Sequence, residues 1–288
     1  MTDLIATIDA ALERWLPQET VPPETIHRAM RYSVFAGGKR IRPLLAVHAA
    51  HAISANPIGI EDAACTLEMI HTYSLIHDDL PDMDNDDLRR GRPTCHKVFG
   101  NALAILAGDA LCTLAFEVLG SLPHAKAEVR SRLVVELATA SGTRGGMIGG
   151  QVHDLESEGL APDAGRLEAI HRAKTGALLR ASVRLGAIYA SADDRQLQAL
   201  TAFGEHAGLA FQIVDDVLDV EQTSEELGKT AGKDAAQQKT TFPAVYGLEK
   251  SKEMAEAERL AAHQALSIFG ERADALREIA DVIVRRKA

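Results

Sequence analysis

The chain has 288 residues and a net charge of -10, with 46% hydrophobic and 25% charged residues. That balance fits a globular chain with a sizeable core and argues against nucleic acid as a partner, because no basic surplus is available to neutralise phosphates in bulk. Three scattered cysteines, Cys65, Cys95 and Cys112, suggest neither a disulfide framework nor a zinc site; the start lacks a basic, long apolar leader, and no apolar run of roughly 20 residues stands out, so the expectation is a soluble cytoplasmic protein with no membrane anchor.

Helical periodicity and helix-forming composition run through 24–36, 43–54, 60–80, 101–119, 128–141, 166–190, 194–220, 243–268 and 271–286, while alternating strand patterns are nearly absent. Turn residues break the chain at Gly37-Gly38, Asn56-Pro57, Gly91 to Pro93, Ser121 to Pro123, Gly145-Gly146, 156–163 and Gly228 to Gly232. The expected fold is an all-α bundle of roughly ten or more helices, with a single domain over 1–288 and short connections between antiparallel neighbours. Segments 102–119 and 207–218 are apolar almost all round, a pattern that belongs at the centre of a bundle.

In chain order the first polar signal is GGKRIRP at 37–43, with Lys39, Arg40 and Arg42 at a helix start, where cations and free N–H groups suit an anion as readily as solvent. Next comes LIHDDLPDMDNDDLRRGRP at 75–93, six aspartates followed by three arginines. Carboxylates so crowded must be solvated, partly protonated or neutralised by cations. Asp78, Asp79 and Asp82 stand at i, i+1 and i+4 at the end of an apolar helix, with Asp84 as the alternative third ligand. FQIVDDVLDV repeats the spacing with Asp215, Asp216 and Asp219 inside another apolar helix. Residues four apart share a helix face, so each group presents two carboxylates towards one point. Hard oxygen donors without His or Cys point to Mg²⁺, which keeps waters and binds one or two carboxylates plus substrate phosphates. A calcium EF-hand starting at Asp82 fails, because its sixth position is Asp87 instead of Gly and its twelfth is Pro93 instead of Glu. Arg89 and Arg90 follow the acidic run, where guanidinium forks can hold a diphosphate or simply neutralise the aspartates. After the second acidic group, GKTAGKDAAQQKTT supplies Lys229, Lys233 and Lys239 on a glycine-hinged loop.

GGKRIRP, HTYSLIHDDLPDMDNDDLRRGRPT, GGQVHDL, HRAKTGAL, GLAFQIVDDVLDV and GKTAGKD, in this order over nearly the whole chain, resemble the trans-type short-chain prenyl diphosphate synthases, most closely bacterial farnesyl diphosphate synthases. The resemblance implies the isoprenoid synthase fold, helices around a central cavity, usually as a homodimer with three Mg²⁺ ions. It implies that Asp78 and Asp84 ligate two Mg²⁺ on an allylic diphosphate with Asp79 in support, and that Asp215 and Asp219 serve the third. Asp82 stands where a small residue is usual, which leaves the division between Asp82 and Asp84 open. Arg89, Lys174, Lys229 and Lys239 match allylic diphosphate contacts; Lys39, Arg42, His71 and Arg90 match an isopentenyl diphosphate site. Thr175 and Gln212 correspond to residues near the allylic carbon where positive charge develops, and Arg285, Arg286 and Lys287 resemble a basic tail that closes over the second substrate.

Two further residues bear on product length. Tyr73 and Ser74 precede Asp78 by five and four residues, roughly 6 to 8 Å back along the helix axis. A tail anchored at the metals runs towards them, and a bulky Tyr73 resembles the floor of members that stop at fifteen carbons. The leading expectation is condensation of isopentenyl diphosphate with dimethylallyl and then geranyl diphosphate to farnesyl diphosphate. The alternatives are a geranylgeranyl diphosphate synthase, a terpene cyclase, which has no need of Lys39 and Arg42, and a non-catalytic subunit, which has no need of two intact acidic motifs.

Overall fold

A computed structural model describes residues 2–221 and 240–286. The described residues are helical nearly throughout, as the periodicity predicts, and they gather into two compact units, Met1–Leu44 with Ile58–Val134, and Leu45–Pro57 with Val135–Ala288.

In the first unit lie α1 (Thr2–Trp15), α2 (Glu24–Val34), the first turn of α3 (Ile41–Ile53), α4 (Ile60–Asp78), α5 (Cys95–Phe99) and α6 (Asn101–Ser121). Helices α1 and α5 lie outside the segments where periodicity predicts helix. In α1, Ile8, Ala11 and Leu12 make one buried stripe. At its end, Trp15 Nε1 donates to Asp62 Oδ1 at 3.0 Å and Arg14 Nη2 to the same oxygen at 2.7 Å, so α1 is tied to α4. The α4 helix packs along α6. By length and composition α6 is the one helix among the described residues apolar enough to cross a membrane, contrary to expectation. Nor is it buried all round: Ala104, Ala107, Gly108, Leu111, Ala115 and Val118 form its packed face, while Ile105 and Leu106 are 45% and 51% exposed. The strand-poor reading holds apart from a small hairpin, β1 (Leu88–Arg89) and β2 (Arg92–Pro93), with Leu88 opposite Pro93 and Arg89 opposite Arg92. Its turn residues, Arg90 and Gly91, both have positive φ, the mirror-image turn that suits strand twist.

The second unit contains the rest of α3, the C-terminal half of α7 (Ala127–Ser141), whose N-terminal half belongs to the first unit, α8 (Met147–Glu156), α9 (Ala164–His171), a π turn at Arg172–Gly176, α10 (Ala177–Tyr189) and α11 (Asp194–Glu221), followed by α12 (Phe242–Tyr246), α13 (Leu248–Ala265), a 3₁₀ segment at Ser267–Ala273 and α14 (Asp274–Arg285). The continuous helix expected over 243–268 is divided at Gly247, whose φ of 82° ends α12 and starts α13. One apolar cluster joins Leu167 of α9, Leu209, Ile213 and Val214 of α11, Phe242 of α12 and Ala255 of α13. The α11 helix carries the second acidic group on a frame buried against α10 and α13.

Candidate active site

In the first unit the helix bearing the acidic run stops earlier than expected. Asp78 is the last residue of α4 and Asp79 its cap; beyond them the chain turns back, so that Asp84 N donates to Asp78 O at 2.8 Å and Asp86 N to Asp79 O at 3.2 Å. Asp82 and Asp84 therefore stand on a turn, and the i, i+4 helical face expected for Asp78 and Asp82 does not form. Pro81 cannot donate an amide to continue the helix.

The paired aspartates divide by environment. Asp79 is 3% exposed and takes Arg89 Nε at 2.8 and 3.0 Å on its two oxygens, with Arg89 Nη2 at 2.6 Å. Burial pushes its carboxyl up and the Arg89 fork opposes that rise. Asp78 and Asp84 are half-buried and Asp82 exposed.

The cations also divide. Arg40, one of the three in GGKRIRP, is buried and donates to Asp9 at 2.9 Å, Glu68 at 2.8 Å and the Val34 carbonyl at 3.0 Å. Arg40 and Glu68 are each 3% exposed at the side chain. Arg40 is thus a structural cation, whereas Lys39 is exposed and Arg42 half-buried. Replacing Arg40 by Met should cost about 3–5 kcal/mol, because Glu68 is left buried without its charge partner; an unchanged urea midpoint would show that Glu68 finds another. Gly38 (φ 134°) has its own constraint: a Cβ there would lie 2.6 Å from Arg90 Nη1, so only glycine allows that guanidinium to rest on the backbone. A cleft in this unit is bordered by Arg89, Arg90 and Arg92 together with Asp79, Thr72 and Tyr32.

His71, a candidate substrate residue, is held well below its ordinary value of 6.5, first by burial and then by Arg42, Arg90, Arg89 and Arg40. A base depressed in the fold binds fewer protons than the unfolded chain, so its contribution to stability is full above about pH 6.5 and lost as the pH falls below it. Urea midpoints at pH 7.5 and 5.5 should differ less for His71→Asn than for the parent; equal differences would mean that another group carries the acid sensitivity.

One turn back from Asp78, Tyr73 is 7% exposed, its ring edge-on to His77 at 5.7 Å, and its buried hydroxyl has no hydrogen-bond partner among the described residues. Ser74 Oγ is occupied by the His71 carbonyl at 2.8 Å. His77 Nε2 meets the Ile105 carbonyl of α6 at 3.0 Å.

In the second unit α8 lies against the π turn at Gly150, where a Cβ would fall 2.2 Å from Lys174 N. Insertions of this kind re-aim side chains in a helix and recur at functional sites. Lys174 Nζ bonds Asp154 Oδ2 at 2.7 Å, and Thr175 Oγ1 donates to Gln212 Oε1 at 3.0 Å. The second aspartate pair divides as the first does. Asp216 is 6% exposed, accepting Phe242 N at 2.9 Å and meeting His171 Nε2 at 3.2 Å. Asp215 and Asp219 are half-buried; Asp215 takes Gln212 Nε2 at 3.3 Å and the Arg286 guanidinium, which stacks 4.2 Å from the Phe211 ring centre. Arg286, expected in a tail over the second substrate, thus rests on the second acidic group. Lys229, Lys233, Lys239 and Lys287 lie outside the described residues.

His171 and Asp154 had no role in the sequence reading, although both sit in quoted motifs, HRAKTGAL and GGQVHDL. Their signal is proximity: His171 precedes Lys174 by three residues, close to one helical turn.

Three comparisons bear on this arrangement. The family model described as polyprenyl synthetase matches residues 23–280. The chain is 50% identical over 287 residues to the heterodimeric geranylgeranyl pyrophosphate synthase large subunit 1, chloroplastic, of Arabidopsis thaliana, covering 97% of this chain and 76% of that protein. It is 49% identical over 248 residues to the farnesyl diphosphate synthase of Geobacillus stearothermophilus, covering 85% and 83%. The solved structure of an FPP/GFPP synthase from Zymomonas mobilis has a TM-score of 0.85 and 39% identity, covering 98% of this chain and 99% of its own. The all-α architecture is therefore that of the isoprenoid synthases. The chain belongs to the polyprenyl synthetase family, prenyltransferases that act on isoprenoid diphosphates.

Proposed function

We propose that this short-chain prenyl diphosphate synthase condenses isopentenyl diphosphate with dimethylallyl and then geranyl diphosphate, forming (E,E)-farnesyl diphosphate and releasing pyrophosphate, and that it works as a homodimer. The observation that carries the reading is the division within each aspartate pair by burial: Asp79 and Asp216 are buried, while Asp78, Asp84, Asp215 and Asp219 are the more accessible carboxylates. Mg²⁺ suits this donor set. Hard carboxylate oxygens suit an ion that completes its shell with water and substrate phosphate oxygens. Asp78 and Asp84 would hold two such ions and Asp215 and Asp219 a third. When bound, Mg²⁺ neutralises the diphosphate and eases its departure.

The chain's own groups do the remainder. Arg89 is fixed through Nε and Nη2 by Asp79, which leaves its Nη1 edge for a phosphate oxygen. Lys174, steadied by Asp154, is a point charge suited to an allylic diphosphate. Lys39, Arg42, Arg90 and neutral His71 recognise the second diphosphate, and Thr175 and Gln212 stand by the carbon where positive charge develops. Tyr73 closes the tail's path, favouring fifteen carbons over the twenty that relatives named geranylgeranyl pyrophosphate synthases suggest.

Chromatography of products from the purified chain with Mg²⁺, isopentenyl diphosphate and, separately, dimethylallyl, geranyl and farnesyl diphosphate tests the proposal. Fifteen-carbon product from the first two, with farnesyl diphosphate scarcely extended, is the expected result. Efficient extension to twenty carbons would replace the farnesyl assignment with geranylgeranyl, and no product from any allylic substrate would sink the reading.

A further inference from the structure

His171 is largely buried at the end of α9, stacked on Phe242 with ring centres 5.5 Å apart and planes 14° apart. Its Nδ1 lies 3.1 Å from Gln212 Oε1 and its Nε2 lies 3.2 Å from Asp216 Oδ2. The orientation of the Gln212 amide is set by a third group: its nitrogen side meets Asp215 Oδ2 at 3.3 Å, and the flipped amide would press an oxygen against that carboxylate. Gln212 Oε1 can therefore only accept, so His171 Nδ1 must carry a hydrogen. Asp216 Oδ2 already takes the Phe242 amide, and as a carboxylate it too can only accept. His171 Nε2 then also carries a hydrogen. The surroundings agree: burial alone would lower the imidazole's pKa, but the Asp216 carboxylate, with Asp154 and Gln212 behind it, turns the balance and raises it.

The consequence reaches Thr175. Its hydroxyl donates to the same Gln212 Oε1 at 3.0 Å. With that hydrogen committed, only lone pairs of Thr175 Oγ1 remain for whatever lies beside it. We propose that His171 is a positioning residue that, donating from both ring nitrogens, clamps the Gln212 amide to Asp216 and so turns the Thr175 oxygen's lone pairs towards the developing cation. This rests on the reading of Thr175 and Gln212 as neighbours of the reacting carbon. Fixed dipoles aimed where charge appears stabilise the transition state without reorganising.

The test begins on the full, metal-free chain labelled with nitrogen-15 in its histidines. Long-range proton–nitrogen correlation at neutral pH should show one ring, missing from His171→Gln, with both nitrogens protonated. Kinetics follow on His171→Phe, which keeps a flat ring against Phe242 and removes both donors. Its kcat should fall about 10²-fold while KM for either diphosphate changes little, the signature of lost alignment instead of lost binding. Asp216→Asn should fall comparably and the double substitution no further, since the two act as one clamp. A His171 ring with an unprotonated nitrogen overturns the assignment, as does a wild-type kcat in His171→Phe. Should His171→Phe fail to fold, the ring spectrum and Asp216→Asn carry the same test. A parent chain that makes no prenyl diphosphate would sink the site reading, and the ring spectrum would still decide the clamp.

Discussion

Asp78→Ala should lose at least about 10²–10³-fold in kcat while melting close to the parent, whereas its neighbour Asp79→Ala should lose stability first. The difference follows from what each carboxylate touches. Asp79 is buried against the Arg89 fork, so its removal strands a guanidinium and should cost about 3 kcal/mol. Asp78 is half-buried at the helix end, and its loss should leave α4 intact. The same contrast is expected in the second unit: Asp215→Ala should be folded and inactive, and Asp216→Ala destabilised by losing both the Phe242 amide and His171. Circular dichroism melts alongside product assays separate the outcomes. Equal melting of Asp78→Ala and Asp79→Ala, both inactive, would mean that the pairs do not divide into a structural and a chemical member.

Tyr73→Ala should shift the main product from fifteen to twenty or more carbons. Tyr73 is buried beside His77, and truncating it opens space one turn behind Asp78, at a cost of about 3–5 kcal/mol for an aromatic removed from a packed site. Tyr73→Phe provides the control. Its ring fills the same volume and the lost hydroxyl is buried without a partner among the described residues, so product length should not change and stability should hold or rise. Unchanged fifteen-carbon output from Tyr73→Ala would assign the floor to another side chain.

The helices and the two acidic groups are legible in the sequence because both depend on local order: apolar residues recurring at helical spacing, and carboxylates interrupting them. What stays hidden is decided by partners far along the chain. Arg40 stands beside Lys39 in one basic run, yet Glu68, twenty-eight residues on, makes it structural. Nothing local tells Asp78 from Asp79, or Asp215 from Asp216; Arg89 and Phe242 do. His171 is bracketed by residues 41 and 45 positions away, a separation no helical period can register. The division at Gly247 and the early end of α4 are backbone matters, where a positive φ and a proline overrule an apolar pattern that continues past them.

Trp15 is the sole tryptophan, and its indole is held by Asp62 inside the first unit. Tryptophan emission, excited at the red edge where tyrosine does not absorb, therefore follows that unit alone, whereas far-ultraviolet ellipticity sums over every helix in the chain. Recorded together through a denaturant titration, the two signals amount to a cooperativity gauge. Superimposed transitions would mean that both compact units melt as one block, as a single domain requires; an emission change running ahead of or behind the ellipticity would reveal that each unit keeps its own stability.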